Sequence, residues 1–485
     1  MRYAITMVLI ILMVPLSSIV SAEDKPVGSE SFQTDSILES YSMPVRIAFD
    51  RVSNLESYTI EELHHSKEWL VVTSIPISEH HMTHSKPISS KETGILAGSF
   101  VWELEGGEKP IERLSEALEI GEIESFSPLL KRIHHERYIP NDPELSSQWH
   151  LDNYGQTGGV SGEDANLTGA WDSYNGSGVV ISIVDDGLDI SHPDISPNYD
   201  QSASYDWCNG DSDPTPLSFD GHGTAAAGVA AATGNNSLYV SGAAFGASVA
   251  GSNLISCSTP DYLESQALSY ENDYVDIYSN SWGPTDDGRR LAAPGPLMTA
   301  AFVNDVYQGR DGLGNIITWA AGNGLTSDDD SNYDGYANSR FTIAVTAITH
   351  FGQQSYYAEP GANILVAAHS NGNGEGITTT DIVGSGGYNS SGNITNTFGG
   401  TSSATPLVSG VIALMLEANQ NLTWRDVQHI LVNSARMNDQ SNSSWEVNGA
   451  GHDVSHKYGF GAVDAGAAVS MASSWTNVDE EVNLS

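Results

Sequence analysis

The stretch Gly400-Thr401-Ser402-Ser403-Ala404-Thr405-Pro406, followed by the apolar run 407–416, decides how this sequence is interpreted. A serine stands between small residues at the mouth of what the apolar run predicts to be a buried helix. Its hydroxyl would lie at the positive end of the helix macrodipole, where backbone N–H groups point outward. Such donors can stabilise a developing oxyanion without reorganisation. Gly-Thr-Ser also occurs in ordinary loops, so this stretch alone does not establish a nucleophile.

Two further stretches bring the side chains that a serine nucleophile needs. Val184-Asp185-Asp186-Gly187 supplies a carboxylate, and Gly221-His222-Gly223-Thr224 supplies an imidazole. Asp185, His222 and Ser402 follow one another in the chain order of the subtilisin triad. The pattern predicts Ser402 as the nucleophile, His222 as the base and later the acid, and Asp185 as the group that orients the imidazole.

With these motifs the chain resembles the subtilase serine proteases. The resemblance implies that Asn323, in Ala320-Ala321-Gly322-Asn323-Gly324, donates its side-chain amide to the oxyanion. It also implies that Ser281-Trp282-Gly283 pairs its main chain with an extended substrate. A catalytically silent, calcium-stabilised binding protein is the alternative from another class, and the intact triad and asparagine argue against it.

The resemblance narrows to the kexin and furin proprotein convertases. Asp186 stands where broad-specificity subtilisins usually carry serine. Ser281-Trp282-Gly283-Pro284-Thr285-Asp286-Asp287-Gly288 and Tyr333-Asp334-Gly335-Tyr336 match convertase stretches that line a basic-residue pocket. The likeness extends from Asp142 to about Val478, which is essentially the whole predicted catalytic domain.

This resemblance implies a specificity for basic residues. Asp286 and Asp334 would receive Arg or Lys at P1, and Asp186 would receive a basic P2 side chain. Glu264 occupies a position that reads P4. An unpaired carboxylate in a cleft is costly until a cation arrives, so such a site discriminates steeply.

The sequence also departs from the convertase pattern. Phe219 and Ala292 replace acidic residues that help convertases to read P2 and P4, so selectivity beyond P1 is open. A β-rich P domain normally follows the convertase catalytic domain; none is evident here, and residues 479–485 are interpreted as a C-terminal tail. A degradative subtilisin of broad specificity is therefore the alternative within enzymes.

Calcium is the cofactor that the resemblance implies, because hard cations take oxygen ligands from loops. The first implied site uses three side chains and three backbone oxygens: Asp142, Asp194 and Asn236, with Thr233, Leu238 and Val240. The second implied site lies under the P1 pocket and uses three carboxylates: Asp286, Asp329 and Glu359. A third site near Asp206 and Asp213 is only suggested.

The apolar patterning predicts an α/β protein with a subtilisin-like three-layer fold. Continuous buried-strand runs alternate with helical or loop stretches, which favours a mostly parallel central sheet with helices on both faces. The predicted strands lie at 179–184, 249–255, 275–279, 316–321 and 342–345. Asp185 follows the first run, at the strand end where open α/β sheets place their sites. Gly-rich residues 371–400 are predicted to form a long loop.

The N-terminal region has its own organisation. Residues 1–22 have the basic start, short apolar core and small-residue cleavage site of a secretory signal peptide, and an uncleaved anchor is the alternative. Residues 23–137 form a predicted α+β unit, with strands near 101–104 and 123–130 and a helix near 111–118. It resembles the subtilase propeptide, a folding chaperone and temporary inhibitor, ahead of a catalytic domain at 138–478. Release would follow cleavage after Arg137 or after Lys131-Arg132.

Composition limits the partners. The 485 residues carry 61 acidic and 19 basic side chains, a net charge of −42. Nucleic acid is excluded as a partner because phosphate contacts need clustered Lys and Arg. The acidic excess could attract Ca²⁺ and cationic substrates, or reflect adaptation to a salty medium. The two cysteines, Cys208 and Cys257, could pair in an oxidising compartment. We expect a secreted, periplasmic or cell-surface enzyme without a stable membrane span in its mature chain.

The predicted propeptide contains seven of the 15 histidines. Because histidine changes charge near pH 6.5, a pH-triggered release is conceivable, and solvated loop histidines are the alternative.

Overall fold

The structure is a computed structural model. It describes residues 37–130 apart from 43–44, 47–48, 50–51, 56–57, 75–86, 106 and 108, and it describes residues 138–479 and 481. The chain divides into two compact units, residues 1–134 and 135–485. The predicted signal peptide and both predicted processing points lie outside the described residues.

The first unit is a small α+β fold. Its antiparallel sheet has the order β2-β3-β1-β4. The strands are β1 Glu68–Val72, β2 Ser89–Glu92, β3 Ser99–Glu103 and β4 Ser125–Pro128; the helices are α1 Ile37–Ser40, α2 Ile60–His65 and α3 Lys109–Glu119. Trp69, Trp102 and Leu114 are fully buried in the core between α3 and the sheet. The two strands and the helix predicted here are confirmed.

The second unit is built on a seven-stranded parallel sheet with the order β11-β10-β9-β8-β5-β7-β6. The strands are β5 Val180–Asp185, β6 Tyr205–Asp206, β7 Ser248–Asn253, β8 Ile277–Asn280, β9 Ile316–Ala320, β10 Thr342–Ile348 and β11 Ile364–His369. The five predicted apolar runs form β5, β7, β8, β9 and β10. Their residues are almost all buried, as expected for parallel strands covered on both faces.

Helices cover both faces of this sheet. The described helices of the unit are α4 His222–Ala231, α5 Asp261–Leu268, α6 Pro296–Gln308, α7 Thr401–Ala418, α8 Trp424–Ser434 and α9 Ala465–Ser473. In β9 the Thr318 hydroxyl hydrogen-bonds Ser409 of α7 at 2.8 Å, whereas the next residue, Trp319, packs against Phe302 of α6. Because successive strand residues point to opposite faces, α7 and α6 lie on opposite sides of the sheet. The predicted three-layer fold is confirmed.

The prediction of a loop over residues 371–400 is wrong. Two strands, β12 Ile377–Thr380 and β13 Ile394–Phe398, pair there as an antiparallel hairpin. Their Ile and Thr residues favour strands, and the intervening glycines hid this preference in the sequence. The hydroxyls of Thr379 and Thr380 donate to carbonyl oxygens in α4 at 2.8 and 2.7 Å. The hairpin therefore braces the helix that begins at His222. A second two-stranded ribbon pairs β14 Glu446–Val447 with β15 Asp453–Val454.

Helix α7 lies in the centre of the core. All of its residues from 401 to 416 are buried. Within the described parts of the chain, α7 is the one helix that is long and apolar enough to cross a membrane, and 89% of its apolar window is buried inside the protein. Packing inside the fold accounts for the apolar run that follows Ser402.

A disulfide joins Cys208 and Cys257, a pairing that the sequence left open. It links the segment after β6 to the segment after β7, 49 residues further along the chain. The bridge thereby fixes two loops on one edge of the parallel sheet.

Three histidines surround the buried ring of Trp149. The rings of His150, His350 and His369 lie 5.6–6.3 Å from the indole. Neither ring nitrogen of His150 has a hydrogen-bond partner, and His369 Nε2 lies 3.5 Å from a carboxylate oxygen of Glu163. Burial, helped by the nearby His369, lowers the pKa of His150 to about 3.

We expect the free energy of unfolding to fall as the pH drops below 6.5. In the unfolded chain His150 binds a proton near pH 6.5, whereas in the folded protein it binds one only near pH 3. This one group contributes a slope of about 1.4 kcal/mol per pH unit. The free energy should be measured by denaturant titration between pH 7 and pH 4.5, in protein inactivated by Ser402→Ala. His150→Leu should reduce the slope, whereas His429→Gln, at an exposed position, should keep it. Equal slopes in the two variants would contradict this prediction.

Candidate active site

Three candidate side chains lie at the carboxyl edge of the parallel sheet. Asp185 is the last residue of β5, His222 is the first residue of α4, and Ser402 is the second residue of α7. His222 Nδ1 lies 2.8 Å from Asp185 Oδ1. The Asp185 side chain is fully buried, whereas 28% of the His222 side chain is exposed. The imidazole can therefore meet a ligand while its carboxylate partner stays out of water.

The Ser402 hydroxyl lies at the start of α7. Its Oγ donates to the carbonyl oxygen of Ser281 at 3.2 Å, and the Ser281 hydroxyl donates to the Ser402 carbonyl oxygen at 3.1 Å. These two hydrogen bonds join the start of α7 to the segment that follows β8. Gly400, with φ of +76°, makes the sharp entry into the helix, a conformation that favours glycine.

Asn323 follows β9 and contacts the same helix start. Its Oδ1 accepts hydrogen bonds from the backbone N–H and the hydroxyl of Thr401, at 2.8 and 3.1 Å. These bonds fix the orientation of the amide group and leave Nδ2 as a donor. The backbone N–H of Asn323 donates to Asp286 Oδ2 at 3.0 Å. Asn323 thus connects the start of α7 to a carboxylate in the neighbouring loop.

Opposing effects set the pKa of His222. Burial lowers it, but the charge and hydrogen bond of Asp185, together with the charge of Asp186, raise it to about 9. The two carboxylates therefore favour the protonated form of the imidazole.

Asp186 is held against the beginning of α4. Its carboxylate accepts the backbone N–H groups of Gly223 and His222, at 2.7 and 3.2 Å. Burial and the charge of Asp185 nevertheless raise the pKa of Asp186 to about 7. A Cβ at Gly223 would lie 2.3 Å from the Gly187 carbonyl oxygen, so glycine is needed for this close approach.

Asp334 faces Gly283 across a narrow gap. Its Oδ1 accepts the Tyr336 N–H at 2.7 Å, and its Oδ2 would lie 3.0 Å from a Cβ at Gly283. Glycine thus leaves the carboxylate open on that side. Burial raises the pKa of Asp334 to about 6, with a contribution from Asp286. A half-buried carboxylate in this state is stabilised by an arriving cation.

Glu264 and Trp282 both contact Tyr336, which lies in the same loop as Asp334. The Tyr336 hydroxyl donates to Glu264 Oε2 at 2.8 Å. The Trp282 ring packs 4.7 Å from Trp319 and 5.5 Å from Tyr336. Tyr336 therefore links Glu264, which is predicted to read P4, to the loop that carries Asp334, which is predicted to read P1.

Three carboxylates near Asp334 form a compact cluster. Oxygens of Asp286, Asp329 and Glu359 lie within 4.8 Å of one another. Burial, with the charges of Asp286 and Asp329, raises the pKa of Glu359 to about 8. A Cβ at Gly324 would lie 2.9 Å from Glu359 Oε1, so glycine keeps this space open. A cavity of about 20 Å³ lies among these side chains and Asp334. Its size suits one small ion, and its oxygen donors fit Ca²⁺.

The residues of the first predicted calcium site also lie close together. The Asn236 side chain donates to Asp194 at 3.0 Å, and its backbone N–H donates to Asp142 at 3.1 Å. The backbone N–H groups of Val240 and Thr233 donate to the Asp194 carboxylate and carbonyl oxygens, at 2.9 and 2.7 Å. The Leu238 N–H donates to the Asn236 side-chain oxygen at 2.7 Å. Burial, aided by Asp194, raises the pKa of Asp142.

The two carboxylates suggested for a third calcium site, Asp206 and Asp213, accept hydrogen bonds from neighbouring residues. The Asp206 carboxylate accepts four N–H groups, from the backbone of Cys208 and from Asn209 and Asn253. Asp213 accepts the N–H and the hydroxyl of Thr215. In the described part of the chain, neither belongs to a group of three or more His, Cys, Asp or Glu within metal-binding reach.

An aromatic side chain that sequence reasoning missed lies next to His222. The ring of Phe398, at the end of β13, lies 5.4 Å from the imidazole, and Tyr388 lies 5.8 Å from Phe398. Phe398 stands four residues before Ser402, and this proximity is the one sequence signal that could have pointed to it.

The parallel sheet and the Asp-His-Ser set at its carboxyl edge define a subtilisin-like α/β protein. Residues 176–461 match the Subtilase family, and the chain belongs to this family.

Similar proteins agree with the resemblance to kexin and furin convertases. The chain is 43% identical to the PC3-like endoprotease variant B of Hydra vulgaris over 349 residues, 70% of this chain and 48% of the relative. It is 40% identical to furin of Homo sapiens over 346 residues, 70% of this chain and 42% of furin. The crystal structure of a serine protease of Aeromonas sobria has a TM-score of 0.66 at 27% identity, over 72% of this chain and 70% of that one. The chain spans less than half the length of these curated relatives.

We expect Ca²⁺ to raise the midpoint of thermal unfolding of the Ser402→Ala protein and chelation to lower it, because the clustered carboxylates gain a counter-charge. A ligand at 100 times its Kd stabilises by about 2.7 kcal/mol. Glu359→Gln should reduce the calcium-dependent shift, whereas Glu446→Gln, at an exposed position, should preserve it. Differential scanning calorimetry with and without chelator measures both. An equal calcium-dependent shift of the unfolding midpoint in the two variants would show that Glu359 does not bind the ion.

Proposed function

We propose that this chain is the precursor of a secreted, calcium-dependent serine endopeptidase that cleaves after Arg or Lys, preferentially at dibasic pairs. The observation that carries this proposal is the half-buried carboxylate of Asp334, which lies next to Gly283, two residues after the Ser281 that hydrogen-bonds Ser402. Membership of the subtilase family and the similarity to furin support it.

Catalysis would proceed through an acyl-enzyme. The Ser402 oxygen attacks the carbonyl carbon of the scissile bond while its proton passes to His222 Nε2, and Asp185 holds the Nδ1–H of the resulting imidazolium. The Asn323 amide donates to the oxyanion. His222 then protonates the leaving amine. Water, deprotonated by the same imidazole, releases the acyl group from Ser402.

Specificity at P1 would come from charge. Asp334, helped by Asp286, pairs with the guanidinium or ammonium group of the P1 side chain, and a neutral side chain leaves that half-buried carboxylate unpaired. Specificity at P2 is weaker, because the Asp186 carboxylate already accepts two backbone N–H groups. Phe219 offers no charge to assist it. The main chain of Ser281, Trp282 and Gly283 would align the extended substrate.

Calcium would neutralise buried carboxylates and hold the loops around the P1 pocket. Asp286, Asp329 and Glu359 would hold one ion under the pocket. The second ion would be bound by the other predicted set of ligands: Asp142, Asp194, Asn236, Thr233, Leu238 and Val240.

The remaining regions would serve export and activation. Residues 1–22 act as the signal peptide, and residues 23–137 act as a propeptide that assists folding and inhibits the enzyme until cleavage after Arg132 or Arg137. Residues 138–478 form the catalytic domain. The Cys208–Cys257 disulfide supports an oxidising compartment outside the cytoplasm.

Ser402→Ala should abolish peptide hydrolysis and propeptide release together, because the triad acts as a unit. Ser403→Ala is the matched control, since the adjacent serine hydroxyl bonds Ser370 away from the triad at 2.6 Å. Mass spectrometry of the purified precursors measures the processing. Normal processing of the Ser402→Ala precursor, with no other protease present, would contradict the assignment.

Asp334→Asn should lower kcat/KM for an Arg P1 substrate by about 2 kcal/mol, the scale of losing one partner of a desolvated ion pair. It should change little for the matched substrate with citrulline at P1, which keeps the shape of arginine without its charge. Asp328→Asn, an exposed substitution in the same loop, should affect neither substrate. Equal slowing of the two substrates by Asp334→Asn would show that Asp334 is structural.

A further inference from the structure

Arg289 and Arg290 form an adjacent basic pair to which the proposed function assigns no role. The whole chain has one other such pair, Lys131-Arg132, which is one of the two predicted points of propeptide release. The remaining basic residues of 138–485 are single in the sequence: Arg310, Arg340, Arg425, Arg436 and Lys457. A protease that selects basic pairs therefore meets, within its own catalytic domain, a sequence of the kind it cleaves.

The pair lies in an exposed, irregular segment. Between the end of β8 and the start of α6, residues 281–295 form neither helix nor strand, apart from one β-bridge at Ala292. Arg289 is exposed, 68% of the Arg290 side chain is exposed, and Leu291 is 82% exposed. Proteases nick folded proteins in such segments, because an exposed loop can become extended with little loss of structure.

The peptide bond between Arg290 and Leu291 lies between two anchors of the loop. On one side the Gly288 N–H donates to a carboxylate oxygen of Asp329 at 2.9 Å. On the other side the Ala292 N–H donates to a carbonyl oxygen of the facing loop at 3.0 Å. Within the described residues, the backbone N–H groups of Arg290 and Leu291 have no hydrogen-bond partner. The bond can therefore be drawn outward while both anchors stay in place.

The side chain of Arg290 is also more available than those of other arginines. Arg310 is buried, and its guanidinium pairs with Asp276 at 3.0 Å. Arg425 lies inside α8, where helical backbone cannot pair with an active site as an extended strand. Arg290 pairs with Asp287 at 3.3 Å, but an ion pair this exposed stabilises weakly. A protease can therefore take up the Arg290 guanidinium at little cost.

The position of the loop decides which copy of the enzyme could cut it. Arg290 lines the same small cavity as Asp286 and Asp334, the two carboxylates proposed to receive P1. The loop is therefore part of its own P1 pocket, and it cannot lie across that pocket as a substrate of the same molecule. The active site that cuts it must belong to a second copy.

We propose that the mature enzyme cleaves a second copy of itself between Arg290 and Leu291. This inference rests on the proposed endopeptidase function. The Ser402 oxygen of one copy attacks the Arg290 carbonyl carbon of the other, and the bond from that carbon to the Leu291 nitrogen breaks. His222 gives the proton taken from Ser402 to the Leu291 nitrogen. Water, deprotonated by the same imidazole, then hydrolyses the ester and releases Arg290 as a carboxylate.

The cut divides the reactive side chains between two fragments. Asp185 and His222 belong to the N-terminal fragment, and Ser402 belongs to the C-terminal fragment. The parallel strands β8 and β9 pair across the cut, so the fragments should stay together in the folded protein. The Cys208–Cys257 disulfide lies entirely in the N-terminal fragment. Denaturation without a reductant should therefore separate the fragments.

The inactive full chain with Ser402→Ala is the substrate that tests self-cleavage, because it cannot cut itself. Mature wild-type enzyme is added to it, and peptide mass spectrometry follows the appearance of new chain ends. We expect a new N-terminus at Leu291 and two fragments on a denaturing gel without reductant. Release of the propeptide from the same substrate is the internal control for cleavage after basic residues.

Variants of the inactive substrate test which residue directs the cut. Arg290→Gln should slow cleavage by about tenfold or more, because the P1 charge is lost. Arg289→Gln should slow it less, since selection at P2 is weaker. Arg340→Gln is the matched control: it removes an exposed, single arginine and should leave the rate unchanged. Equal midpoints of thermal unfolding verify that the substituted substrates are folded.

The outcomes separate the two proposals. If the mature enzyme neither releases the propeptide nor hydrolyses a peptide ester with Arg at P1, the proposed function itself is overturned. Release of the propeptide with an intact bond between Arg290 and Leu291 would overturn self-cleavage alone. Cleavage at this bond that Arg290→Gln leaves unchanged would overturn it as well.

Discussion

Closely spaced negative charge, partly withdrawn from water, is the constraint on which the rest of this structure depends. Asp185 and Asp186 are consecutive at the end of β5, and five more carboxylates, Asp286, Asp329, Asp330, Asp334 and Glu359, line one small cavity. Burial and mutual repulsion would protonate such groups unless cations or N–H donors compensate for them. The protein uses an imidazole for Asp185, helix N–H groups for Asp186, and loop N–H groups for the five carboxylates of the cavity.

The compensating groups have to be fixed in place, because a mobile donor or cation could not offset the charge reliably. The carboxyl edge of a parallel sheet meets this requirement, since strand ends and helix starts converge there. Asp185 ends a strand, whereas His222 and Ser402 begin helices, so backbone hydrogen bonds position all three. The buried helix α7 adds its dipole at Ser402, where negative charge would develop during an acyl-transfer reaction.

The features that could be predicted from the sequence are those that local pattern determines. Continuous apolar runs marked β5, β7, β8, β9 and β10, and short motifs marked Asp185, His222 and Ser402. The hairpin of β12 and β13 was missed because glycines between its strands resemble a loop, and the Cys208–Cys257 pair was undecided because spacing does not determine proximity. The contact of Tyr388 with Phe398 depends on closure of that hairpin, so no periodicity could reveal it. His150 gave no signal either, because its lost hydrogen bonds result from tertiary packing.

The hairpin has a consequence for how such a site can diversify. Thr379 and Thr380 of β12 hold α4, which begins with His222, while β13 runs directly into the segment that carries Ser402. One continuous piece of chain thus sets the separation of imidazole and hydroxyl. Residues 381–393 connect its two strands and carry Tyr388. Insertions, deletions or substitutions there can change the surface beside Phe398 and His222 while β12 still braces α4, so this surface can evolve separately from the positions of His222 and Ser402.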